Sequence, residues 1–263
     1  VRGRKDLENL SIPFIGEIPQ YLSAKKKLGF DKHTQSVMKA IVVKEGNRNI
    51  INEAFRVLRS NIDFMAGKDS GQNVFMLTSF NPGSGKSFLA MNIAMSFAIK
   101  KKRILVIDGD LRHGSTSSYV DSPKTGLSDY LGNRVSDWKE IIVKDEKYDN
   151  LHIIPIGTVP PNPTELLEDG KLATLIEVLR SEYDYIFIDC PPIDIVADAQ
   201  IIEKLADRTV FVVRSGLLDR SMLPELENIY QEKRFKHLSV ILNGTESAGG
   251  RSGYRYGHRN GYS

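Results

Sequence analysis

The chain has 263 residues, 41% hydrophobic and 26% charged, with 36 Lys and Arg against 33 Asp and Glu. This is ordinary globular composition, and a net charge of +3 spread along the sequence leaves no nucleic-acid footprint. A single cysteine, Cys190, excludes an intrachain disulfide framework, and no Cys/His spacing resembles a zinc site.

No run approaches the ~18 apolar residues needed to span a bilayer. The sequence opens on Val1 with no signal peptide, so the expectation is a cytoplasmic piece, whole or excised from something longer. In the first 50 residues, the prolines of "SIPFIGEIP" argue against any regular element, and "SAKKKLGF" is a basic patch, read first as solvated surface. Residues 52–66 predict an amphipathic helix capped by Asn52, with Phe55, Leu58, Ile62 and Met65 as its apolar stripe. A strand over 74–80 and a helix from Lys86 to Ile99 come next, followed by strands over 103–108, 151–156 and 185–190. A helix across "ADAQIIEKLA", a strand over 209–214, a helical pattern over 221–234 and a strand over 239–243 complete the series. Continuous β-branched runs alternating with helices argue for a doubly wound, mostly parallel sheet with helices on both faces. The organisation expected is an N-terminal extension over 1–50, one domain over 51–243 and a loose tail over 244–263.

The stretch "SFNPGSGKSF" follows the first strong strand and opens a helix. A glycine-rich turn there frees backbone N–H groups to surround phosphates, and the helix dipole favours them. The candidate nucleotide-binding residues are Gly83, Ser84, Gly85, Lys86, Ser87 and Phe88, with Lys86 on the β/γ-phosphates and Ser87 on Mg²⁺. Phe80 stands where the strict pattern has its first glycine. Asp108 and Asp110 end one later strand and Asp189 another, and strand carboxyl ends are where such sheets collect ligands. Asp189 has the position of the acid that holds Mg²⁺ in phosphate-loop NTPases. A ribose-gripping role for Asp108 would suit a dinucleotide fold, but the loop carries Lys-Ser and lacks G-x-G-x-x-G, so the nucleotide is read as a triphosphate. Cys190, ending an apolar run, reads as core.

With these motifs the chain resembles the bacterial tyrosine kinases of the polysaccharide-export class, from about Leu7 to its end. "NPGSGKS" is similar to their Walker A loop, "ILVIDGDLR" to Walker A′ and "FIDCPP" to Walker B. "PPNPTELL" resembles a loop of the group, "LENLSIPFIGEIP" the segment that joins kinase to membrane helix in fused members, and "EAFRVLRSN" their E-x2-R-x2-R helix through Glu53, Arg56 and Arg59. The resemblance implies a P-loop NTPase-type fold and ATP and Mg²⁺ as cofactors, with Lys86, Asp108 and Asp110 catalytic. On this resemblance Asp108 would take the tyrosine proton, and Ser87, Asp110 and Asp189 would lie at the metal. It further implies autophosphorylation in trans of tail tyrosines Tyr254, Tyr256 and Tyr262. Glu53, Arg56 and Arg59 would dock a ring of about eight copies. The implied partners are a transmembrane co-polymerase, fused or separate, and a tyrosine phosphatase, at the cytoplasmic side of the inner membrane. The competing resemblance is to partition and septum-site ATPases without kinase activity. Their loop begins K-G, where this chain has Asn81 and Pro82. The remaining tyrosines, Tyr21, Tyr119, Tyr130, Tyr148, Tyr183, Tyr185 and Tyr230, are expected to be structural.

Overall fold

A computed structural model describes residues 1–21, 40–67, 71–193 and 197–246. The basic patch at 23–30 and the tail tyrosines Tyr254, Tyr256 and Tyr262 lie outside the described residues. Eight strands form one sheet: β1 (Phe14–Pro19), β2 (Val74–Thr78), β3 (Ile104–Asp108), β4 (Val143–Lys144), β5 (Leu151–Ile154), β6 (Tyr185–Asp189), β7 (Arg208–Arg214) and β8 (Leu238–Thr245). Their spatial order is β1-β8-β7-β2-β6-β3-β5-β4, parallel except for the edge pair β4–β5.

The apolar strand runs are buried on both faces, yet side chains still alternate. Phe75 and Leu77 join the core under one face, Val74 and Met76 the core under the other. The first core is closed by α1 (Ile50–Ala66) and α2 (Lys86–Ala98). There Phe97 and Phe187 pack with ring centroids 5.9 Å apart, and Phe55 meets Phe88 edge-on at 6.0 Å. The second core is closed by short helices α3 (Leu127–Leu131), α4 (Pro163–Glu168) and α6 (Asp198–Glu203), together with α5 (Lys171–Glu182) and α7 (Leu223–Gln231). No helix among the described residues is long and apolar enough to cross a membrane.

Three expectations are corrected. The prolines of "SIPFIGEIP" do not prevent a strand: β1 pairs in parallel with β8, with register shifts after Phe14 and before Pro19. A proline is tolerated there because β1 is an edge strand, where a missing donor breaks no inner ladder. Part of the segment before residue 50 is therefore built into the sheet. Asn52 is not the cap of α1. Asn49 is, accepting the Asn52 N–H at 2.9 Å, while Asn52 is buried and bonds Val42 and Lys44 across the helix start. "PPNPTELL" is a loop only to Asn162, since Pro163 opens α4 at the helix position that suits proline.

Candidate functional site

The site is built where β2 ends. Residues Ser79–Gly85 turn from β2 into α2, and Lys86 is the first helical residue. Gly83 and Gly85 hold φ of 75° and 90°, a region side chains rarely adopt. A Cβ on Gly85 would also fall 2.2 Å from Asn243 Nδ2, so glycine is required there twice over. The turn is braced from within: Ser79 and Ser84 both donate to the Asn81 carbonyl, at 2.8 and 2.7 Å. Asn243 Nδ2 donates to Ser84 O at 2.9 Å from the end of β8. The Lys86 ammonium donates to Ser79 Oγ at 3.1 Å, and burial lowers its pKa against the pull of Asp189 and Asp110.

The two acid-bearing strands are neighbours, and their register sets Asp108 directly beside Asp189. Asp189 Oδ2 accepts from Ser87 Oγ at 2.5 Å and Thr116 Oγ1 at 2.7 Å, while its buried Oδ1 has no partner among the described residues. Asp108 accepts from the Ser117 N–H and hydroxyl, each at 2.7 Å, and is 0% exposed. Burial first, then the Asp189 charge, pushes its carboxyl from near 3.8 up to about 8; burial also raises Asp189. Asp110 lies at the rim, both carboxylate oxygens 3.1 Å from His113 Nδ1. A cleft over these groups is lined by Gly85, Lys86, Ser87, Phe88, His113 and Tyr119, among others.

The sequence-predicted residues from Gly83 to Phe88, with Asp108, Asp110 and Asp189, thus converge on one place. Thr116 and Ser117, which hold the two buried acids, were not read from the sequence; their only signal is proximity to "DGD". Glu53, Arg56 and Arg59 lie on α1, away from this cleft. Glu53 and Arg56 pair with each other, Arg56 also reaches Asn47 O, and Arg59 donates to Ser96 O at 2.9 Å. Cys190 is fully buried and its thiol is pushed well up, the state of an inert core cysteine.

The unpartnered Oδ1 of Asp189, beside the Ser87 hydroxyl, is the oxygen donor set that suits Mg²⁺. Among the described residues no three His, Cys, Asp or Glu side chains form a ready cage.

Asp108 makes the fold pH-sensitive. Between about pH 4 and pH 8 the unfolded carboxyl ionises while the buried one resists, so stability falls through that window. Asp108→Asn should melt several degrees above the parent at pH 8, the gap closing toward pH 5, by calorimetry without nucleotide. A gap that stays constant with pH would contradict this.

Residues 72–217 match the family model described as an AAA domain. The chain is 34% identical over 199 residues to the tyrosine-protein kinase YwqD of Bacillus subtilis (strain 168), covering 75% of this chain and 82% of YwqD. Other curated relatives are longer, and it spans 31% and 27% of two of them. The kinase domain of the Escherichia coli tyrosine kinase ETK superposes with a TM-score of 0.81 at 27% identity, over 98% of this chain and 100% of that one. The septum-site-determining protein MinD of Pyrococcus horikoshii, solved with Mg-ADP, shares the fold at a TM-score of 0.52 and 22% identity. That match covers 64% of this chain and 67% of MinD.

Proposed function

The chain belongs to the bacterial tyrosine-protein kinases, and on that premise we propose that it transfers the γ-phosphoryl group of ATP to the tail tyrosines Tyr254, Tyr256 and Tyr262. The observation that carries the reading is the meeting of Lys86, Ser87, Asp108 and Asp189 at the carboxyl ends of three adjacent strands. The backbone of 83–88 cradles the phosphates and Lys86 neutralises the β/γ oxygens. Ser87, Asp189 and Asp110 would hold Mg²⁺, which neutralises charge on the transferring group when bound.

The tyrosine oxygen forms a bond to the γ-phosphorus, the bond to the β–γ bridging oxygen breaks, ADP leaves, and the phenolic proton goes to Asp108. A phenol of pKa ~10 hardly ionises alone at pH 7, so an oriented carboxylate helps at the moment of transfer, in the ionised form that burial of Asp108 opposes and a bound cation would favour. Asp108 lies under the turn 109–117, so that turn has to yield when the phenol arrives.

Transfer in trans within a ring, docked through Glu53, Arg56 and Arg59, extends the proposal. Each phosphotyrosine adds roughly −1.5 to −2 charge, so a phosphorylated tail would loosen the ring. A phosphatase would reset it, and the cycle would govern polysaccharide export at the inner membrane. The plain-ATPase alternative has no lysine at Asn81 to reach a partner's nucleotide.

Peptide mass spectrometry of the chain after incubation with Mg-ATP tests the reading. Phosphate on Tyr254, Tyr256 or Tyr262 is expected. ATP hydrolysis with no phosphotyrosine anywhere would overturn it in favour of the ATPase.

A further inference from the structure

Arg214 ends β7 beside the phosphate loop, half-buried. Other half-buried arginines have evident partners: Arg180 grips Asp207 at 2.6 and 3.0 Å, Arg59 bonds Ser96 O, and Arg208 bonds Gln72. Among the described residues no carboxylate pairs with Arg214, and burial alone lowers its pKa. Its guanidinium lies against the buried backbone of Gly244, where a Cβ would come 2.6 Å from Cζ and 2.8 Å from Nε. Gly244 holds φ of 78°, so the notch that seats the guanidinium is open only to glycine. Nη1 points toward the loop, 3.8 Å from where a Gly85 Cβ would stand.

Sheet order decides what this cation faces. Phosphates belong over the end of β2, and the acids that draw the γ-phosphate and its metal lie on the β6–β3 side. The nucleoside half must therefore lead the other way, over the ends of β7 and β8. That is where Arg214 and Gly244 stand, with Leu217, 44% exposed, in the turn that follows.

We propose that the Arg214 guanidinium, laid across Gly244, is the platform on which the nucleobase stacks, a specificity-determining contact with the purine. A planar, weakly hydrated cation suits a base face, which an ammonium does not match. The inference rests on the ATP reading above and adds to it the part of the nucleotide that the P-loop does not grip.

The test is calorimetric titration of the parent, Arg214→Ala and Arg214→Lys with Mg-ATP and with magnesium tripolyphosphate, which has the phosphates and no base. Both variants should bind ATP about tenfold more weakly and tripolyphosphate unchanged. In the kinase assay KM for ATP should rise while kcat holds. Parallel weakening of both ligands would make Arg214 a phosphate contact and overturn the stacking role, as would full ATP affinity in the lysine variant. A circular-dichroism melt identifies any variant that fails to fold, and the remaining one then decides. A parent that binds tripolyphosphate but no ATP would sink the ATP reading itself, and this inference with it.

Discussion

Lys86→Met should abolish tail phosphorylation, by about a thousandfold or more, while the protein still folds. The Lys86 ammonium is 9% exposed, held by Ser79 and biased by two acids, so its charge is already desolvated where the γ-phosphate must sit. A charge in place costs no reorganisation at the moment of transfer, which is why its removal is felt in the rate. Methionine keeps the length and apolar stem, so the start of α2 should survive. The check is phosphotyrosine per chain by mass spectrometry beside the parent, with circular dichroism to confirm the fold. Phosphorylation within tenfold of the parent would remove Lys86 from the catalytic assignment.

The sheet and phosphate loop were legible because their signals are local. An apolar run, Val74–Thr78, leading through a short turn into "GSGKS" fixes strand, turn and helix within about fourteen residues, and period-2 and period-3.6 patterns do not mix there. What was missed depends on partners far along the chain. β1 is a strand only because β8 offers it an edge more than 200 residues later. Its prolines look prohibitive until its edge position is known. Asn49 and Asn52 carry the same side chain, and only the contacts of Asn52 with Val42 and Lys44 decide which of them caps α1. By contrast α5 could have been read: Leu172, Leu175, Ile176 and Leu179 follow helical spacing and are all buried. In the site, the acids announced themselves at strand ends, whereas Thr116 and Ser117 became visible only once the turn after β3 folded back. Arg214 also ends a strand and Asn243 lies two residues short of the end of another, so the rule that picked out Asp189 points to them as well.

Asp189→Asn separates holding the fold from holding the ion. The amide is isosteric, and its oxygen can still accept from Ser87 and Thr116, so the geometry of the site should persist. What disappears is the negative charge and the acceptor capacity of Oδ1, the buried atom with no partner among the described residues. An unsatisfied buried oxygen is costly to keep, and its presence between the phosphate loop and β3 makes sense if a ligand satisfies it. In the parent, adding Mg²⁺ to ADP should raise the melting temperature well beyond ADP alone, because binding to the folded state alone is linked to stability. In Asp189→Asn that extra increment should vanish, and phosphoryl transfer should fall by about a hundredfold or more. A variant that keeps the magnesium increment would show that Asp110 and Ser87 suffice, and that the orphaned oxygen answers to something other than the metal.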